Sequence, residues 1–363
     1  MKQRRKVALP RYGEYNCVLK YIVEQGFEAR CILPPPLSRR TEDLGARNSP
    51  DLVCTPFKTT LGSMIEALEA GADTIIMVLG ACRLNYFGEL QEQILRDMGF
   101  EFEFINLSLY NTGNVKDILR ALKAINPRCS MVKAARAVYD AAKMVEHLDD
   151  TTSAYYQNCG FDPTGTYPKI YRKFIADMYA AQSLADIREG YRAACEGFGS
   201  VTLAKPADPI RIGIIGDYYT VMDPFSNLEL EQKLADMGVE VHRLMNITND
   251  MLRGGGKNKQ AKIREYSEYS MGASSTADIW QAQNFAERGF DGVIQVKSAG
   301  CMPETDIMPV LANLSREYRM PILYLTYDSQ TSDVGLMTRL EAFYDMVEMR
   351  KKEIGRASCR ERV

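Results

Sequence analysis

"EALEAGADTIIMVLGACRLNYFGELQEQILRDMGFEFEFINL", Glu66–Leu107, decides the fold. It reads as a helix, a Gly-x-Asp turn, an apolar strand, a Gly-x-Cys turn, a second helix and a second strand. The run Thr74–Leu79 has no polar alternation, as a strand buried on both faces requires, and strands that alternate with helices build a parallel sheet. The same order returns at Gln283–Asp328, "QNFAERGFDGVIQVKSAGCMPETDIMPVLANLSREYRMPILYLTYD". Cys82 and Cys301 fall at the same place in each copy, apart from a one-residue offset.

Working outward, strand-like and helix-like segments alternate over the first third of the chain. "KVALP" precedes an amphipathic "EYNCVLKYIVEQGF", then "EARCILP", the strand-like "DLVCTPFK" and a helix beginning at Thr59. Around "ARAVYDAAKMVEHL" and "YRKFIADMYAAQSLADIREGYRAACEGF" the period is helical throughout. From "IRIGIIGDYYT" onward the alternation returns, with Thr305–Arg319 reading as one helix. The expected class is α/β, with two Rossmann-like parallel-sheet domains of similar plan. Residues 1–125 form the first, 126–205 a helical insert or bridge, and 206–354 the second. Residues 355–363, "GRASCRERV", read as a non-native-looking tail and are set aside with their Cys359.

The 363 residues suffice for two cores, and a net charge of −2 gives no sign of a nucleic-acid or membrane-surface binder. No apolar run approaches the roughly 20 residues of a membrane span, and the start lacks a secretory pattern. A cytoplasmic location is expected, where thiols stay reduced, so the nine cysteines are not a disulfide framework. Cys17 and Cys31 follow helix and strand periodicity and read as small apolar core residues. Cys129 and Cys195 sit near the ends of the helical region, and Cys159 in a loop remains a weak candidate ligand.

Cys54, Cys82 and Cys301 are left. The carboxyl ends of strands are where open α/β sheets form their ligand crevice, so these thiols are expected to face one cleft between the domains. With only two histidines, His147 and His242, and no C-x-x-C pair, a zinc site is disfavoured. Three scattered cysteines suit a cube-type iron–sulfur cluster with one iron open; buried turn cysteines are the alternative. Asp328 is one of several candidates for the fourth position. Glu304, in "GCMPE", is the candidate catalytic carboxylate, able to orient a ligand or proton or simply to face its helix dipole. Asp217, Tyr218 and Tyr219 close a strand where backbone amides could hold an anion, and Lys58 and Arg83 lie beside two of the cysteines. "RGGGKNKQ", Arg253–Gln260, has no strand before it and no Gly-Lys-Ser/Thr ending, so it reads as a loop rather than a phosphate cradle.

Several stretches together resemble the 2-hydroxyacyl-CoA dehydratase D-components and the related CoA enzyme activase family. They are "PRYGEYN" (Pro10–Asn16), "PPPLSRRTEDLG" (Pro34–Gly45), Cys54–Val78, Gly80–Phe104, Ile212–Arg243, "GFDGVI" (Gly289–Ile294), "GCMPE" (Gly300–Glu304) and Thr326–Phe343. The likeness spans nearly the whole chain outside the helical middle and the tail. Where those relatives often carry Cys-Gly-Pro-Cys-Arg, this chain has Leu79-Gly80-Ala81-Cys82-Arg83, with one thiol. The resemblance implies Rossmann-like domains around a 4Fe-4S cluster held by Cys54, Cys82 and Cys301, in the cytoplasm of an anaerobe. It also implies a separate ATP-dependent activase of the actin/Hsp70-like fold that donates a low-potential electron, with a second dehydratase-like subunit as a further partner. The substrate implied is a CoA thioester undergoing radical dehydration or reduction, which would make the chain a lyase or reductase component. ATP is not expected to bind this chain, which lacks the Asp-x-Gly-Ser/Thr loops of the activase. Two alternatives stay open: a non-catalytic subunit or electron-relay partner that docks an activase, and a CoA- or nucleotide-binding α/β module without a cluster.

Overall fold

The computed structural model describes residues 5–79, 87–108, 123–252, 259–272 and 274–360. Cys82, Arg83, residues 253–258 of the glycine-rich stretch and the last three residues of the tail lie outside that set. Contacts divide the chain into two units, Met1–Thr151 with Ile170–Gly197 and Thr152–Lys169 with Phe198–Val363. Each is an α/β structure.

The first unit runs β1 (Lys6–Ala8), α1 (Asn16–Tyr21), β2 (Arg30–Cys31), α2 (Arg39–Arg47), α3 (Thr55–Glu69), β3 (Thr74–Leu79), α4 (Phe87–Asp97) and β4 (Glu103–Ser108). Its four strands are all parallel, in the order β2-β1-β3-β4. Ile75 and Met77 of β3 join Ala8, Phe57, Leu61, Met64 and Leu95 on one face, while Ile76 joins Val7, Val23, Phe27 and Ile105 on the other. Two covered faces explain the unbroken apolar run, and each such burial is worth about 1.5–3 kcal/mol. Helices α5 (Met131–Asn158), α6 (Tyr167–Ala180) and α7 (Leu184–Gly199) supply the helical stretch, and the boundary between units falls inside each of them.

The second unit continues with β5 (Arg211–Gly216), α8 (Tyr218–Met222), α9 (Leu230–Asp236), β6 (Glu240–Arg243), α10 (Lys259–Lys262), α11 (Ser275–Glu287), β7 (Gly292–Ser298), α12 (Met302–Asp306), α13 (Met308–Glu317), β8 (Ile322–Tyr327) and α14 (Asp333–Arg360). Its sheet is again all parallel, in the order β6-β5-β7-β8. Relative to its own first strand this is the order of the first unit. Leu336, Leu340, Phe343 and Val347 of α14 cover one face with Ile212, Ile214, Ile294 and Val296; Ile279, Phe285, Leu311 and Leu314 cover the other with Ile215 and Val293.

The repeated Gly-x-Asp has a mechanical cause. Gly71 and Gly289, at φ +90° and +67°, end α3 and α11 in left-handed backbone that only glycine adopts cheaply. Two residues on, Asp73 Oδ1 accepts the amide of Lys6 at 3.0 Å, and Asp291 Oδ2 accepts the amide of Arg211 at 2.8 Å. In both units the turn thus closes the helix and satisfies the first amide of the central strand.

Three expectations change. "DLV" is not a strand: Leu52 is 96% exposed, and α3 begins at Thr55, four residues earlier than expected. Pro56, at a position where a helix needs no amide hydrogen, sets that early start. The stretch Thr305–Arg319 is not one helix but parts of α12 and α13, because Pro309 cannot continue the hydrogen-bond ladder and opens a new helix instead. Finally, α14 does not stop before the tail and continues to Arg360. Among the described residues, no helix is long and apolar enough to cross a membrane.

Candidate functional site

In the second sheet the strand order reverses between β5 and β7, which makes their carboxyl ends the crevice position. Gly216 ends β5 at φ +147°, and a Cβ there would lie 1.7 Å from the Val296 carbonyl oxygen. Only glycine lets the two strand ends come this close. Asp217 follows at once: Oδ1 accepts the Thr220 amide at 2.9 Å and Oδ2 accepts the Ser298 amide at 2.7 Å. Those amides are the anion-binding groups expected here, and the protein's own carboxylate occupies them.

Next to this staple lies a second buried carboxyl group. Glu304, in the first turn of α12, is fully buried; its Oε1 accepts from Ser274 Oγ at 2.7 Å and its Oε2 from Gln295 Nε2 at 3.0 Å. The same Nε2 donates to the Glu304 backbone oxygen at 2.9 Å. Asp278 of α11, also fully buried, hydrogen-bonds Glu304 through its side chain and accepts the Gly216 amide at 3.2 Å. Burial raises the Glu304 carboxyl above the ordinary carboxylate range, with the Asp217 charge adding to it; burial raises Asp217 as well. Three acids therefore meet in one interior whose named donors, two amide nitrogens of the crevice turn, one at Gly216, a hydroxyl and a side-chain amide, are all neutral.

Glu304 was legible as a candidate; Asp278, Ser274 and Gln295 were missed. A signal existed: Ser274, Asp278, Gln281 and Phe285 are spaced by four, three and four, so one helix face turns from polar to apolar along α11. Gln295, itself buried, likewise interrupts the apolar run Val293–Val296.

Cys301 and Cys54 share a local setting, although they begin different helices of the repeated plan. Each is the half-buried N-cap of a helix whose second residue is proline, in Cys301-Met302-Pro303 and Cys54-Thr55-Pro56. Cys301 is set by its Ser298 hydrogen bond (amide to carbonyl, 3.1 Å), and its own carbonyl accepts Thr305 Oγ1 at 2.8 Å. Cys54 accepts the Phe57 amide on its carbonyl at 3.1 Å. Both sulfurs sit at the positive end of a helix, and neither side chain makes a capping hydrogen bond to its helix. Cys82 lies outside the described residues. Among the described residues, no group of three or more His, Cys, Asp or Glu side chains is arranged to hold a metal ion.

The other candidates have ordinary surroundings. Burial pushes the thiols of Cys17, Cys31 and Cys159 up to about 12, which keeps them neutral and apolar, and leaves Cys159 a poor ligand. His147 stacks on Tyr191 at 3.9 Å and His242 bonds Glu240 at 2.5 Å; burial lowers both imidazoles. Lys58 donates to the Asp51 carbonyl at 3.2 Å. Asp328 is exposed and closes its own turn, accepting the Gln330 amide at 2.9 Å and Thr331 Oγ1 at 3.0 Å. Neither the protein-family models nor the curated proteins compared with the chain match it.

Proposed function

We propose that the chain is an iron–sulfur protein of the 2-hydroxyacyl-CoA dehydratase and activase-related kind. In this reading Cys54, Cys82 and Cys301 hold a 4Fe-4S cluster that a separate ATP-dependent activase charges with an electron. The observation that supports it is the paired Cys-x-Pro helix start, one in each unit, which offers half-buried sulfurs at helix N-caps while burial keeps Cys17, Cys31 and Cys159 as neutral thiols. Bound there, the cluster would supply low-potential one-electron chemistry and an open iron on which an acyl-CoA oxygen can be polarised. The protein's own contribution is the rigid turn Ser298–Cys301, fixed by Asp217 and Thr305, and a buried carboxyl, Glu304, one helical turn from the sulfur. Burial disfavours the charged form of Glu304 and raises its carboxyl.

Iron and acid-labile sulfide content of anaerobically purified protein tests this, with a Cys54→Ala, Cys82→Ala, Cys301→Ala triple variant beside it. Wild type should carry roughly four irons per chain and the variant none. Iron-free wild type after anaerobic reconstitution refutes the reading.

A further inference from the structure

We propose that Asp278 and Glu304 share one proton, and that this proton fastens α12, the helix capped by Cys301, to α11. The geometry requires a proton between them. Two fully buried carboxyl groups in hydrogen-bond contact cannot both be ionised without a large penalty, and Asp217 adds a third acid to the same interior. Around the pair stand Asp217 from the turn after β5, Ser274 from the start of α11 and Gln295 from β7. Two cations flank these helices: Lys297 Nζ donates to Thr305 Oγ1 of α12 at 3.3 Å, and Lys259 of α10 lies over the Trp280 ring of α11 at 5.2 Å.

Gln295 is fully buried and its Nε2 donates to both the Glu304 backbone oxygen and Oε2, so β7 offers this carboxyl a neutral donor and no counter-charge. The shared proton then links three segments: β5 through the Gly216 amide on Asp278, α11 through Asp278 and Ser274, and α12 through Glu304. The inference stands with or without iron, since no cysteine takes part in it.

The pH consequence has a definite sign. A carboxyl raised by folding is protonated in the folded chain where the unfolded chain has already lost its proton. Its contribution is complete below the ordinary carboxylate range and is lost as pH rises through the folded value. Two measurements on the full chain test the proposal. Infrared spectra in deuterated buffer at neutral pH should show the carbonyl stretch of a protonated carboxylic acid, reduced in Asp278→Asn and in Glu304→Gln but retained in part in Asp217→Asn. Urea midpoints followed upward from the ordinary carboxylate range should fall in wild type relative to Glu304→Gln, which keeps the shape of the protonated acid. A wild-type spectrum without the band overturns the proposal by itself, whatever the variants' folding. A band lost only in Asp217→Asn also overturns it, as does a pH dependence that Glu304→Gln leaves unchanged.

Discussion

The two sheets share a plan and differ in what they bury at the crevice. Both have the strand order second, first, third, fourth, and both close the helix before the third strand with a Gly-x-Asp turn. At the start of that helix the first unit has Cys54 and the second Ser274. Near the strand ends the first unit uses a phenol, Tyr12 Oη donating to the Val78 carbonyl at 3.1 Å; the second uses the Asp217 carboxylate on the Ser298 amide at 2.7 Å. The frame is therefore duplicated while its chemistry is divided. One copy leaves a sulfur at its helix start, and the other spends that position on a hydroxyl that supports a buried acid.

The comparison breaks most visibly at Gly216. Gly216→Ala places a methyl group against the Val296 carbonyl in backbone that disfavours any side chain, and it should cost the second unit about 3 kcal/mol or more. A denaturant titration that resolves the two units should show the second one melting earlier with the first unchanged. Asp217→Ala comes next, at about 2–3 kcal/mol, since it strands the Thr220 and Ser298 amides in a buried setting; the same titration reads it.

The shared turns sharpen the comparison on a finer scale. Asp73→Ala and Asp291→Ala each remove the acceptor for a strand's first amide, at about 1 kcal/mol. Asp291 also receives Lys351 Nζ at 3.0 Å, so its loss should be the larger of the two. Equal losses would show that the lysine adds nothing. Smallest is Ser274→Ala, about 0.5–1.5 kcal/mol for the hydroxyl's bond to Glu304, read from the thermal midpoint.

The plan was open to reading because β3 and β7 are covered on both faces, so burial leaves an unbroken apolar run that little else produces. The Gly-x-Asp and Cys positions were visible for a related reason: turns that must repeat a geometry repeat their residues. "DLV" misled because two apolar residues, Leu52 and Val53, ahead of Cys54 look like a strand end until a sheet is found with no place for them. The buried acids were harder. Gln295 sits among Val293, Ile294 and Val296, and Asp278 on a helix that buries Ser275 and Gln281 as well as apolar residues; only the packing of α11 and α12 on the sheet shows that Ser274, Asp278, Gln295 and Glu304 meet. Likewise the Cys-x-Pro correspondence became evident only once both cysteines were seen to cap helices.

The most direct test of the account compares iron content in two single variants, Cys54→Ala from the first unit and Cys301→Ala from the second, after identical anaerobic reconstitution. If one group draws ligands from both copies of the frame, each variant alone should lose the cluster's iron and its electron paramagnetic resonance signal. Full wild-type iron in either variant would contradict it.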